Sequence, residues 1–218
     1  MSLAGSQSFA VDSLAMNDIP GNTSILLTGE DTAALEAVFY RLVAAPESEQ
    51  SVLLSTEADS RSTKRELKGA IRGADERAQI LTNRASDRGD NVSSIDDLSD
   101  LTRLGMEFSE LFAKAQQQAA PTRAGILMCS TILGEAEDTR SVYRFLNSNF
   151  LSPLRRSKAL GVAAIDMSEE IGSELNSTVA GLETSFSARI HVESTGRKQA
   201  TLDVSGLSDS DGVTEVSW

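Results

Sequence analysis

The sequence predicts an α/β fold in three layers: a largely parallel central sheet, helices on both faces and a C-terminal antiparallel hairpin. Three observations carry the prediction. Short runs built almost wholly from apolar residues recur along the chain, as strands buried on both faces require. Between them lie segments with apolar residues three and four positions apart, the spacing of helices that cover a sheet. The last two runs, residues 185–193 and 198–205, are joined through Ser194-Thr195-Gly196-Arg197, a hairpin connection.

The elements follow in order. Residues 1–18 read as an N-terminal arm, with one irregular helical turn near residues 11–16. Residues 19–205 form the domain. Its first strand is 23–28 (TSILLT), closed by Gly29. Asp31 is the N-cap of a helix whose Leu35, Val38, Phe39 and Leu42 point inward until Pro46. Residues 51–56 (SVLLST) make the second strand, and 61–72 a helix ended by Gly73. Residues 77–83 make a more polar third strand, and 85–94 a polar loop turning at 88–90. Leu98, Leu101, Leu104, Phe108, Leu111, Phe112, Ala115 and Ala119 then give the clearest periodic signal, an amphipathic helix ending near Pro121. Such a seam covers a sheet or pairs two chains. Residues 125–133 (GILMCSTIL) read as the fourth strand, and 137–156 as a long helix bent or ended by Pro153. Residues 160–167 (LGVAAIDM) are the fifth strand, 168–180 a helix, and 206–218 an acidic tail with Val213, Val216 and Trp218 able to dock.

Composition narrows the function. Of 218 residues, 32 are Asp or Glu and 20 are Lys or Arg, for a net charge of −12; the basic set is 15 Arg and 5 Lys. This skew fits adaptation to concentrated salt, and no stretch gathers the cations a nucleic-acid surface needs. Cys129 is the single cysteine and His191 the single histidine, which argues against a disulfide, a zinc cluster and a Ser-His-Asp arrangement. No run has 18 apolar residues and the first twenty lack a basic leader, so a cytoplasmic protein without membrane contact is expected.

In such a fold the loop after the first strand is the prime ligand site. A working phosphate loop there needs Gly-x-x-x-x-Gly-Lys-Ser/Thr. The chain has Gly29-Glu30-Asp31-Thr32-Ala33-Ala34-Leu35-Glu36, placing Ala34, Leu35 and Glu36 at the glycine, lysine and hydroxyl positions. No lysine precedes Lys64. Glu30 and Asp31 would face the phosphates, and one like-charge pair at about 5 Å with an effective dielectric near 20 costs about 3 kcal/mol. The expected metal strand, 125–133, carries Cys129 and Ser130 and no carboxylate.

Five segments carry a family resemblance: 19–27 (IPGNTSILL), 51–59 (SVLLSTEAD), 100–109 (DLTRLGMEFS), 126–133 (ILMCSTIL) and 140–146 (RSVYRFL). Through them the chain resembles the RecA/KaiC group of P-loop domains, and more narrowly a haloarchaeal KaiC-like family with degenerate nucleotide motifs. The resemblance implies a RecA-like three-layer fold over residues 19–205. It also implies that an acid after the second strand, similar in position to Glu57, activates the attacking water. Every phosphate contact departs from the pattern, so no ATPase activity, catalytic residue, metal or cofactor is expected.

The remaining candidates have ordinary readings beside functional ones. Cys129 reads as a small core residue. His191 is outward-facing or satisfied by a hydrogen bond. Asp166 either contacts a ligand at the end of its strand or begins the turn with Ser168. Glu169 and Glu170 suit a first helical turn, and Arg155, Arg156 and Lys158 either balance a helix end or meet an acidic partner. The leading expectation is a non-catalytic regulatory or scaffold domain working through protein–protein contacts, with another protein or further copies of itself as partner. The alternatives are a small-ligand module using the old crevice, lined by Gly29, Glu30, Asp31, Thr32, Thr56, Glu57, Ser130 and Asp166, and a residual ATP-dependent protein completed by a partner subunit.

Overall fold

The computed structural model describes residues 7–84, 87, 89–168 and 175–218. Its centre is a nine-stranded sheet in the order β11-β10-β9-β3-β8-β7-β4-β5-β6. The strands are β3 (Ser24–Gly29), β4 (Gln50–Ser55), β5 (Ala78–Thr82), β6 (Val92–Ser94), β7 (Thr122–Leu127), β8 (Leu160–Asp166), β9 (Ala188–Gly196), β10 (Gln199–Ser205) and β11 (Gly212–Ser217). From β9 to β6 every pairing is parallel, whereas β9–β10 and β10–β11 are antiparallel. The α/β class and the largely parallel sheet with its terminal hairpin are as the sequence predicts.

Alternation along the buried strands builds two cores. Ile25 and Leu27 of β3, Leu53 of β4 and Val162 and Ala164 of β8 face one side, where α1 (Thr32–Val43) and α2 (Ser60–Ala70) pack. Leu26, Val52, Leu54, Ala163 and Ile165 face the other. There they meet α3 (Leu101–Gln116), α4 (Cys129–Glu135), α5 (Thr139–Phe145), α6 (Ser152–Ser157) and α7 (Leu175–Glu183). The periodic run at Leu104, Phe108, Leu111 and Phe112 thus covers the sheet. Asp31, Asp59, Asp100 and Asp138 each cap a helix by accepting from a backbone amide three residues on.

The structure differs from the sequence reading at several places. The fourth strand ends at Leu127, not Leu133. Met128 takes a left-handed conformation (φ 54°), and Cys129 opens α4. Periodicity does not separate a short buried helix from a buried strand, so the apolar run concealed the break. The helix expected over 137–156 is α5 and α6 joined by a π-helical segment, Leu146–Leu151. Pro153 lies in the first turn of α6, where its missing N–H is tolerated. Residues 85, 86 and 88 of the polar loop, and 169–174 of the helix placed at 168–180, lie outside the described residues. β9 extends through Gly196, so the hairpin turns at Arg197 and Lys198.

Both ends are built into the fold. β1 (Ser8–Val11) and β2 (Met16–Pro20) form a hairpin with a 3-10 turn over Asp12–Leu14, within the stretch expected to turn. Its Phe9, Val11, Leu14, Met16 and Ile19 are buried in the first core. The stretch expected as an acidic tail supplies β11, with Val216 and Trp218 packed against that core and Val213 exposed. No helix among the described residues is long and apolar enough to cross a membrane.

Candidate functional site

The carboxyl ends of β3, β8 and β9 meet at one point, with Gly29 in register between Asp166 and Val192. A Cβ on Gly29 would lie 2.9 Å from the Val192 carbonyl oxygen, so only glycine lets the strands close there. Glu30 and Asp31 alone then connect β3 to α1. Asp31 turns back onto the helix: its Oδ1 accepts from the Ala34 amide at 3.0 Å. That bond, with a second from the Ser194 hydroxyl, holds its carboxyl below the usual range. The end of α1 that would attract a phosphate already carries the protein's own carboxylate. Leu35, at the lysine position, has no exposed surface and packs in the core.

Behind this turn sits Asp166, 3% exposed. Its Oδ2 accepts from the Thr32 hydroxyl, and its Oδ1 accepts from the Ser168 amide at 2.8 Å and the Ser168 hydroxyl at 2.6 Å. Of the two readings of Asp166, the turn with Ser168 is the one seen, and the same carboxylate also reaches Thr32 across the strand ends. Ser130, buried on α4, accepts from the Asp166 amide at 3.4 Å. The Met167 amide donates to the Gly29 carbonyl at 2.8 Å, closing the gap between the strands.

Thr56 and Glu57 lie at the end of β4. The buried Thr56 hydroxyl donates to the Leu127 and Met128 carbonyls at 2.9 and 3.0 Å, holding the left-handed break that starts α4. Glu57, exposed, accepts from the Thr131 hydroxyl at 2.9 Å. Glu30 and Asp31 open on the other side, into a shallow pocket shared with His191, Val192, Glu193 and Ser194. The eight candidates therefore divide. Gly29, Thr32, Ser130 and Asp166 form one bonded cluster, Thr56 and Glu57 a second, and Glu30 and Asp31 face away from both. His191 is hydrogen-bonded, as one of its two readings has it, and the Thr28 hydroxyl is the partner at 3.1 Å; Thr131 is the residue that the sequence does not point to. Thr131 was hidden by the strand reading of its segment.

Glu36 follows on α1. Burial, then the charges of Glu57 and Glu66, push its carboxyl above the ordinary value. A raised folded-state value means that stability falls as pH rises from the unfolded value through the folded one. Glu36→Gln is therefore expected to raise the thermal midpoint at pH 7, with the gain shrinking on acidification and gone below the ordinary carboxyl range. Thermal melts from pH 4 to 8 check this, and an equal gain at every pH contradicts it.

The sequence profile of a family of unknown function, DUF7504, matches residues 22–192. The chain belongs to DUF7504. That stretch runs from the approach to β3 into β9 and contains the site above except Glu193 and Ser194. Solved structures place this DUF7504 chain in a RecA/KaiC-like fold. A KaiC-like protein, PH0186, from the hyperthermophilic archaeon Pyrococcus horikoshii OT3 superposes with a TM-score of 0.63 at 12% identity, over 96% of this chain and 93% of its own. Another Pyrococcus horikoshii OT3 protein, PH0250, gives 0.59 at 14% identity, over 88% and 90%. No curated protein matches the sequence.

The nucleotide and magnesium ion associated with P-loop folds do not fit the residues present. An anion at the start of α1 would meet Asp31 and Glu30, with no lysine beside it and its amide at Ala34 already bonded. Cys129, where a metal carboxylate is expected, is fully buried, and desolvation pushes its thiol up to about 12. It is a core side chain.

Proposed function

We propose that this DUF7504 chain is a non-catalytic RecA/KaiC-like domain that acts as a regulatory or scaffold protein through protein–protein contacts. The observation that carries the reading is the start of α1, where Asp31 occupies the amide end of the helix and Leu35 lies in the core. The nucleotide site is read as decayed in charge and in shape. The bonded cluster of Thr32, Ser168 and Asp166 supports the same view, because the crevice's polar groups satisfy one another and leave little for a small ligand. The excess of acids and the preference for Arg over Lys fit an archaeal protein working in a salt-rich cytoplasm.

Isothermal titration with ATP and Mg²⁺ in molar KCl tests the proposal. No saturable heat and no phosphate release are expected. Micromolar binding or measurable turnover would overturn it, and turnover that appears only in nucleotide-induced oligomers would point to a site completed by a partner subunit.

A further inference from the structure

The central sheet has two edges, and they are treated differently. β6 is three residues long, which blunts it. β11 is six residues, GVTEVS, paired to β10 without a bulge and carrying neither proline nor lysine. Natural edges are normally protected by such devices, and β11 keeps only the single charge of Glu215, which leaves the strand available for pairing. The Trp218 amide donates to the Lys198 carbonyl at 3.1 Å, which sets the parity of the ladder. Gly212, Thr214 and Val216 direct their backbone groups to β10, and Val213, Glu215 and Ser217 direct theirs outward. Among the described residues, no strand meets that outer side. Val213 is 71% exposed, an apolar β-branched side chain at the rim.

Charge identifies the occupant. Asp211 precedes β11, while Arg197 and Lys198 form the turn beside its far end, where Arg41 also lies over the Trp218 ring at 5.2 Å. An antiparallel copy of the same strand brings the acidic end of each chain to the basic end of the other. Only outward-facing residues can pair, which restricts the register. Val213 opposite the second copy's Glu215, with Thr214 on the axis, is allowed. The two neighbouring registers each carry a like-charge clash: with Glu215 on the axis it meets itself, and with Val213 on the axis Asp211 meets the second copy's Glu215. We propose that β11 pairs antiparallel with β11 of a second copy about a two-fold axis at Thr214, making one continuous sheet through the dimer. This inference rests on the sheet edge alone and is independent of the nucleotide-site reading.

Sedimentation velocity of the full chain in molar KCl, from low micromolar to submillimolar, tests it. A concentration-dependent dimer is expected. Val213→Pro removes an outward amide that β10 does not use, and it should weaken the dimer about tenfold or more while leaving the far-UV spectrum intact. Hydrogen exchange of the unaltered chain supplies a second readout that needs no variant. The amides of Val213, Glu215 and Ser217 should slow as concentration rises, while other exposed amides should not. A monomer throughout, a dimer untouched by Val213→Pro, or protection appearing on another face instead would overturn the proposal.

Discussion

Arg123→Met is expected to lower stability by about 3–5 kcal/mol, the cost of leaving one member of a buried ion pair alone. For a domain of this size that is roughly 6–20 °C in thermal midpoint. Arg123 is 1% exposed and Glu49 is 8% exposed. The guanidinium donates to both Glu49 carboxylate oxygens, to the Leu42 carbonyl at 2.9 Å and to the Ala10 carbonyl at 2.9 Å. The Phe9 ring lies 5.6 Å from its carbon centre. One side chain on β7 thus joins the end of α1, the approach to β4 and the N-terminal hairpin. Removing it strands the Glu49 carboxylate and the Leu42 carbonyl away from water and takes the donor from the Ala10 carbonyl. Arg123→Met with Glu49→Leu should recover part of the loss, because the orphaned charge goes while the carbonyls stay unpaired. Salt screens surface charges but hardly reaches this pair, so the single-variant loss should persist in molar KCl. Chemical denaturation of the two variants checks both points. A single-variant loss under about 1 kcal/mol would show that the pair is solvated in the folded chain.

Leu35→Lys, which would restore the missing cation of a phosphate loop, is expected to cost at least about 3 kcal/mol and to gain no nucleotide binding. Removing a buried leucine side chain already costs roughly 3–5 kcal/mol in well-packed cores. The position adds a second penalty, because an ammonium there has no partner within the first core and must deprotonate or force the helix outward. Leu35 has no exposed surface, and its Cδ1 lies 3.5 Å from where a Cβ on Gly29 would sit. The helix start has turned this position inward. Restoration would therefore require a longer connection as well as a lysine. Thermal melts with and without ATP and Mg²⁺ decide the matter. A variant as stable as its parent, or one stabilised by nucleotide, would mean that Leu35 can turn outward.

The strand plan was legible because parallel strands buried on both faces leave unmistakable apolar runs, as at β3, β4 and β8. Helix starts were legible where an aspartate caps them, as Asp31 does. Gly125–Leu127 continued into α4 without any change of composition, so the break at Met128 had no signal. The ends were misjudged for a different reason. The hairpin's Phe9 and Ile19 look like scattered apolar residues until tertiary partners are present, and Val216, readable as a docking residue, does not show that its segment is a strand. Site positions could be named from their place after strands, but their bonding could not. Thr32 and Asp166 are 134 residues apart in sequence, and only the strand order brings them together. Arg123 reads as solvated in the sequence, because its carboxylate partner Glu49 is 74 residues away.

The hairpin formed by β1 and β2 bears on how the domain should be delimited. The family match covers residues 22–192, yet the core and the sheet take in residues beyond it at both ends. Cut at those limits, the chain would lose Phe9, Val11, Leu14, Met16 and Ile19 from the first core, uncover Arg123, and leave a shortened β9 as a raw edge. Sequence shared across relatives and the piece of chain that folds as one body are different things here. The flanks lie outside the matched region, but they share its first core and are expected to melt with it.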